Sequence, residues 1–441
     1  MDQTESASGE QNMLRILVTG ANSGLGYSIC CRLADEFLTN HPTTESLTII
    51  FTTRSTRKAQ ETIHRLESHL KSTAPSSSAA ARVHFISESV DLSDLHSVRA
   101  LSHKLVHTLP RLDAIVLNAG LGGWSGINWA RAVWDVCTDL LHAVTWPAYK
   151  LAPTGVLTPK QTATESEPPL GAVFCANVFG HYMLAHNVSP LLKRARTNGP
   201  GRIVWVSSLE ATIKFFDVDD IQGLRTSAPY ESSKALTDVL ALTSNLPSTA
   251  PWAVESFLQS ETELDTHAIH ADAPSATPQM YLSHPGICAT SIIPLIKPLA
   301  WAMIATFWIA RMLGSPWHPL STYLGACAPV FLALAPQAEL EAAEESYRRA
   351  GGGRAKWGSS FGRNGVESAV STEVDGWGHG GVAGTPVVEA DRLRRRKRGA
   401  EDLTKEKREE FEELGRQCWK KMEELRIQWD GILDQAEARS E

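Results

Sequence analysis

The stretch Thr19-Gly20-Ala21-Asn22-Ser23-Gly24-Leu25-Gly26 decides the fold of this chain. It follows an apolar run, Leu14 to Val18, that reads as a buried parallel strand. It precedes Tyr27 to Phe37, which reads as a helix. A glycine-rich turn between strand and helix lets backbone approach a pyrophosphate, and the helix N-terminus offers N–H groups and the positive end of a dipole. Three glycines in a turn are weak alone. They gain weight from Tyr230 and Lys234, which lie downstream at the spacing of one helical turn.

The same alternation continues outward from the turn. Leu47 to Thr53, Val83 to Val90, Ala114 to Leu117, Arg202 to Val206 and Met280 to Leu282 read as strands. Ala59 to Lys71, Ser93 to Leu109 (with Ser93 as N-cap), Val173 to Arg194 and the segment from Tyr230 read as helices. Strands alternating with helices predict an α/β fold built on a doubly wound parallel sheet, spanning residues 13–295 after a disordered N-terminus, 1–12. Two insertions interrupt it, 121–170 and 209–228. The first carries Trp124, Trp129, Trp134 and Trp146, which suit core, pocket wall or membrane anchor, with core as the default. Beyond the sheet, 296–345 reads as an apolar lid and helical segment, with Pro298 to Leu313 the most apolar part. Residues 346–390 read as loop-rich, with glycines crowded between Gly351 and Gly384. Residues 391–441 read as an amphipathic helix whose stripe is Phe411, Leu414, Cys418, Met422, Leu425, Trp429 and Leu433.

The 441 residues carry a formal charge of −7, which gives no sign of nucleic-acid binding. Seven cysteines contain no C-x-x-C pair, so neither a disulfide framework nor a metal site is expected, and the compartment reads as reducing. No secretory signal peptide is visible at the polar, acidic start.

Tyr230 and Lys234 share one face of a helix. A phenol normally holds its proton to pH ~10. A nearby ammonium group stabilises the phenolate and is expected to lower that value, so the pair can deliver a proton to a carbonyl oxygen.

With these residues in place, the chain resembles the short-chain dehydrogenase/reductase family, whose Rossmann-type sheet binds a nicotinamide dinucleotide. The T-G-x-x-x-G-x-G turn is Thr19 to Gly26, N-A-G is Asn118-Ala119-Gly120, and Y-x-x-x-K is Tyr230 to Lys234. The strand-end serine is Ser207 or Ser208, the helix asparagine is Asn177, and the P-G turn is Pro285-Gly286 with Thr290 after it. The resemblance covers Leu14 to Ile293. It implies Tyr230 as proton donor, Lys234 on the nicotinamide ribose, Ser208 (or Ser207) on the substrate carbonyl, and Asn177 on a relay water. It further implies that Gly20, Asn22, Ser23, Gly24, Leu25 and Gly26 cradle the pyrophosphate. Thr53, Asn118, Gly120 and Thr290 would also contact the dinucleotide, and Asp91 would hold the adenine amino group. The alternative for Asp91 is a helix-capping carboxylate. One departure is the length of the Ser208 to Tyr230 connection, which the second insertion extends beside the substrate mouth.

The second strand ends Thr52-Thr53-Arg54-Ser55, with no acidic residue between Leu47 and Gln60. An arginine there suits a ribose 2′-phosphate, where a carboxylate would suit a 2′-hydroxyl. The expected cofactor is therefore NADPH, and the expected direction is reduction.

Four further segments narrow the resemblance: Val206 to Ala211, Pro229 to Lys234, Ser283 to Gly286 and Thr372 to Gly378. They are similar to a fungal branch of the family that reduces the 3-ketone left on a sterol after C-4 demethylation. That likeness implies a 3-keto sterol substrate, partners in the C-4 demethylation complex, and the cytosolic face of the endoplasmic reticulum or lipid droplets. A sterol pocket needs a large apolar wall with one polar end. The Pro298 to Leu313 run is shorter than the ~20 residues of a membrane span. An interfacial helix and a core helix both fit it. The C-terminal helix either packs back on the domain or docks a partner, and the Arg394 to Arg398 cluster suits a solvated face or anionic headgroups. Two rival functions stay open: reduction of another apolar ketone or aldehyde, retinal-like or polyketide, and a non-catalytic NADPH-binding scaffold.

Overall fold

The computed structural model describes residues 12–162, 167–194, 199–259, 277–288, 297–362, 365–384, 395–397 and 399–439. Residues 1–11 and Thr290 lie outside this set. Eight strands form one sheet: β1 Met13–Val18, β2 Ser46–Thr53, β3 Val83–Ser89, β4 Ala114–Leu117, β7 Arg202–Val206, β8 Gln279–His284, β9 Lys356–Phe361 and β10 Glu367–Thr372. Their order is β10-β9-β8-β7-β4-β1-β2-β3, and only β10 runs antiparallel. Strands β5 Gly126–Ile127 and β6 Lys150–Leu151 form a small hairpin inside the first insertion.

Both faces of the sheet are buried, and the strands divide their side chains with a period of two. Leu17, Ile115, Leu117, Ile203 and Trp205 face one core. Ile16, Val18, Val116, Val204 and Val206 face the other. The chain leaves β1 toward β2 and β3 on one side, then returns to β4 on the other. That reversal opens a crevice beyond the C-terminal ends of β1 and β4, where α/β sheets bind ligands.

Three expectations are corrected. The Gly351 to Gly384 stretch is not simply loop-like, because β9 and β10 extend the sheet there. The glycine inside β9 is required by contact: a Cβ on Gly358 would lie 2.3 Å from His284 Nε2. The cap of the Leu95–Thr108 helix is Asp94, whose Oδ1 accepts the His96 and Ser97 N–H groups; Ser93 is not the cap. The segment from Val173 to Arg194 is not one regular helix. It runs as Ala172–Phe174, a π-turn Cys175–Phe179 and Gly180–Asn187, then restarts at Ser189–Lys193 with Pro190 in its first turn.

The C-terminal helix begins at Lys405, later than expected, and ends at Ala438. Its stripe packs back on the domain. Phe411, Cys418, Met422, Trp429 and Leu433 join the core that also holds Leu236, Val239 and Leu240 of the Pro229–Thr243 helix. Trp419 Nε1 donates to the Leu240 carbonyl at 3.2 Å, and the Trp377 ring lies 5.4 Å from Phe411. Of the basic cluster, Arg396 is paired with Glu373 and Asp402, so it is no free headgroup contact. Arg394 and Arg398 lie outside the described residues.

Candidate active site

The nucleotide turn is held by its neighbours. Gly20 and Gly24 take φ of +67° and +58°, a region that favours glycine. A Cβ on Gly26 would lie 2.4 Å from the Gly20 carbonyl and 2.6 Å from Asn118 Nδ2. Asn118 Nδ2 donates to the Thr19 carbonyl at 3.0 Å, and Thr19 Oγ1 accepts the N–H groups of Asn118 and Ala119. Thr19 Oγ1 then lies 2.8 Å from His181 Nε2, while His181 Nδ1 lies 3.2 Å from the Asn177 carbonyl. Burial pulls His181 down to about 3, so it is neutral and acts as a hydrogen-bond spacer. Ser23 stands at the N-cap of Gly24–Asn40, yet its side chain caps no helix N–H group. The first N–H groups of that helix therefore lie beside the crevice without a side-chain cap, as an anion cradle requires.

A cavity of about 820 Å³ runs from this turn to the tyrosine helix. At one end it is lined by Gly20, Asn22, Ser23, Gly24, Leu25 and Gly26, with Thr53, Arg54, Asp91, Asn118 and Gly120 nearby. Arg54 is exposed, and its Nη1 lies 3.8 Å from Asp91 Oδ2. Asp91 does not cap the following helix; its Oδ1 accepts the Ser93 N–H at 2.9 Å and the residue faces the cavity. At the other end stand Ser208, Tyr230 and Lys234. A dinucleotide fits this donor set: a helix N-terminus with room only for glycine at its centre, an arginine at one end and a buried tyrosine and lysine at the other.

The two serines separate by their contacts. Ser207 also borders the cavity, but it is buried and its hydroxyl donates to Asp238 Oδ1 at 2.5 Å. Ser208 hydrogen-bonds the Tyr230 phenol and accepts the Glu210 N–H at 3.1 Å. Lys234 Nζ donates to the Val206 carbonyl at 2.8 Å and lies 5.9 Å from the Tyr230 ring. Asp238 is in turn paired with Lys356 of β9 at 2.5 Å, and Lys356 Nζ donates to the Ser208 carbonyl at 2.7 Å.

The charge balance at Tyr230 differs from the expected one. Burial, with Glu210 and Glu231 adding to it, holds the phenol above its ordinary value, against the Ser208 hydrogen bond. Lys234 is itself pulled down to about 8 by burial and by Lys356, against Asp238. Two buried groups both resist ionising. The phenol thus holds its proton across the neutral range, which is the form a proton donor needs.

Asn177 has its side chain taken up by protein partners. It sits in the π-turn, donates to the Leu121 carbonyl and to Ser233 Oγ, and accepts the Leu121 N–H at 2.8 Å. It thereby ties the N-A-G turn to the tyrosine helix and is not among the cavity-lining residues.

The apolar half of the cavity comes from the insertion and the lid. Trp129, Ala132, Val133 and Val136 of the Trp129–Thr138 helix face Leu299, Met303 and Phe307 of the Lys297–Met312 helix. The lid helix packs on the insertion through Phe307, Ala310 and Val144. Its other side is open, with Trp301 70 % exposed. The expectation of a core role fails for Trp129 and Trp134, which are exposed; Trp124 meets the Tyr230 ring edge-on at 4.9 Å. Sequence reading missed Lys150, Glu210, Lys356 and His181. The contacts that tie them to the site, Lys150 to Glu210, Lys356 to Ser208 and His181 to Thr19, span 60, 148 and 162 positions.

Residues 15–140 match the short chain dehydrogenase family. The chain is 62 % identical over 433 residues to a 3-keto-steroid reductase of Aspergillus fumigatus, covering 96 % of each chain. It is 41 % identical to a 3-keto-steroid reductase of Gibberella zeae over 96 % of this chain and 95 % of that one. It is 31 % identical to the Schizosaccharomyces pombe 3-keto-steroid reductase, over 81 % and 90 % respectively. The glycine turn, the Tyr230–Lys234 helix and this likeness along nearly the whole length place the chain in the short-chain dehydrogenase family, among the 3-keto-steroid reductases.

Proposed function

We propose that this protein reduces the 3-keto group of a sterol intermediate to the 3-hydroxy sterol in ergosterol biosynthesis, with NADPH as reductant. The observation that carries the reading is the cavity: apolar walls from insertion and lid converge on a polar end made by Ser208 and Tyr230. A flat apolar skeleton with one carbonyl oxygen matches that division. The nicotinamide, when bound, supplies the hydride. Ser208 orients the carbonyl oxygen, and Tyr230 gives it a proton as charge develops there. Lys234 and the first turn of the Gly24–Asn40 helix hold the dinucleotide, and the apolar walls exclude water. The deciding test is NADPH consumption with a panel of 3-keto sterols against retinal-like aldehydes and polyketide ketones. Turnover of the latter alone overturns the sterol reading.

The choice of NADPH rests on Arg54, exposed beside the cavity with no carboxylate on its own strand end. Arg54→Ala is expected to weaken NADPH binding about 10-fold or more and leave NADH nearly unchanged, as loss of a charge-assisted contact would. Titration of both nucleotides checks this, and an equal loss for both removes the 2′-phosphate role.

The site also supports a position on the cytosolic face of the endoplasmic reticulum or on lipid droplets, beside the C-4 demethylation proteins that would produce the ketone. Among the described residues no helix is long and apolar enough to cross a membrane. Yet Trp129, Val133, Trp134, Trp301, Trp308 and Met312 are exposed on the two helices that wall the cavity. Exposed aromatic and aliphatic side chains on two such helices suit a bilayer interface, from which an apolar substrate arrives. Trp301→Ser/Trp308→Ser is expected to cut co-flotation with phospholipid vesicles several-fold while leaving NADPH binding intact. Unchanged flotation speaks against this face.

A further inference from the structure

A second cluster of charge reaches Tyr230 from both insertions. Lys150 of β6 is almost wholly buried; its Nζ contacts the Glu210 carboxylate and lies 2.8 Å from Glu231 Oε1. Glu210 belongs to the second insertion, two residues after Ser208, and Glu231 follows Tyr230 in the first turn of its helix. Lys150 Nζ also stands 4.1 Å over the Trp124 ring and 5.4 Å from the Tyr230 ring. Trp124, Lys150 and Glu210 line the cavity together with Tyr230. Three separate segments thus meet on one ammonium group beside the phenol.

Holding segments together does not require this chemistry. Burying three charges is costly, and apolar packing of the same volume is often as stable or more so. Two carboxylates against one ammonium also leave a net negative charge next to the reacting phenol. Lys234 from the same helix is the other cation facing the ring, with Asp238 and Lys356 behind it.

We propose that Lys150 is a positioning residue for Tyr230, and that Glu210 sets the charge against which the phenol releases its proton. This rests on the reading of Tyr230 as proton donor. In reduction the phenol O–H bond breaks and its proton goes to the former carbonyl oxygen. In the reverse direction, oxidation of a 3-hydroxy sterol by NADP⁺, a phenolate must accept the hydroxyl proton, and a neighbouring carboxylate makes that phenolate scarce. Burial and then Glu210 raise Tyr230, while burial raises the Glu210 carboxyl against Lys150. The trio therefore favours the proton-donating form of the site.

The test uses the full-length enzyme in both directions. Lys150→Met leaves two carboxylates facing each other and is expected to lower kcat for reduction about 10-fold, with KM changing less than about 3-fold. Lys150→Arg is expected to recover most of the rate. Lys150→Met/Glu210→Gln is also expected to recover part of it, because Glu231 then faces a neutral amide and the repulsion between two carboxylates is gone. Glu210→Gln alone is expected to move the pH midpoint of 3-hydroxy sterol oxidation down by about one unit. Glu231→Gln should move it the same way, and it serves if Glu210→Gln folds poorly. The Cζ resonance of ¹³C-labelled Tyr230, assigned by its loss in Tyr230→Phe, reports the same shift without turnover. An unmoved midpoint in an active Glu210→Gln enzyme, or a double variant no better than Lys150→Met, overturns the proposal. Sterol reduction by wild type that survives Tyr230→Phe instead overturns the proton-donor reading on which it rests.

Discussion

Tyr230→Phe is expected to lower kcat for 3-keto sterol reduction by roughly 10²–10⁴-fold while NADPH affinity stays within about 2-fold. The substitution removes one oxygen. It keeps the ring that meets Trp124 at 4.9 Å, and it keeps Lys234 on the Val206 carbonyl. The phenol's hydrogen bond goes to Ser208, which retains the Glu210 N–H. Loss of the phenol therefore leaves the wall standing and takes away the proton. Steady-state kinetics with a 3-keto sterol, beside calorimetric titration of NADPH, separates the two effects. A variant that turns over normally removes Tyr230 from the chemistry, and one that loses NADPH binding as well points to a collapsed site.

Arg426→Met is expected to cost about 3–5 kcal/mol of stability, as breaking a buried ion pair from one side does. Arg426 donates to Glu423 at 2.8 Å and to Asp430 at 2.8 Å, and it lies 3.1 Å from His186 Nε2. Glu423 is buried and also accepts the Tyr182 hydroxyl at 2.6 Å. Removing the guanidinium strands that carboxylate inside the core. Replacing both partners, as in Glu423→Leu/Arg426→Met, should restore much of the loss, because an apolar pair carries no desolvation cost. Urea unfolding of the two variants measures the difference. Equal stability of Arg426→Met and wild type excludes a structural role for the pair.

The sequence makes some of this architecture plain and conceals the rest for physical reasons. The turn at Thr19 to Gly26 is legible because its glycines, strand and helix are contiguous, and only glycine fits where Gly26 meets Gly20 and Asn118. The parallel strands are legible because burial on both faces makes them continuous apolar runs. β9 and β10 are hidden because Lys-Trp-Gly-Ser-Ser-Phe and Glu-Ser-Ala-Val-Ser-Thr carry little apolar alternation, and they pair only once β8 offers an edge. Ser207 and Ser208 differ by one residue, so spacing cannot separate them; Asp238 and Tyr230 do so in space. Lys356 shows the same limit. It lies 148 positions from Ser208 and yet holds its carbonyl. The direction of the Tyr230 shift is also beyond a pairwise argument, since burial and Glu210 outweigh the Ser208 hydrogen bond.

The helix Lys405–Ala438 has a consequence for how the protein is made. It covers the outer side of the Pro229–Thr243 helix, and it is synthesised well after that helix. While translation proceeds, the segment bearing Tyr230 has one flank bare, and exposed apolar surface of that kind invites chaperones and aggregation. Catalytic competence thus waits until the Lys405–Ala438 segment has been made and has docked. A nonsense codon ahead of Lys405 spares every reacting group yet should yield no usable enzyme.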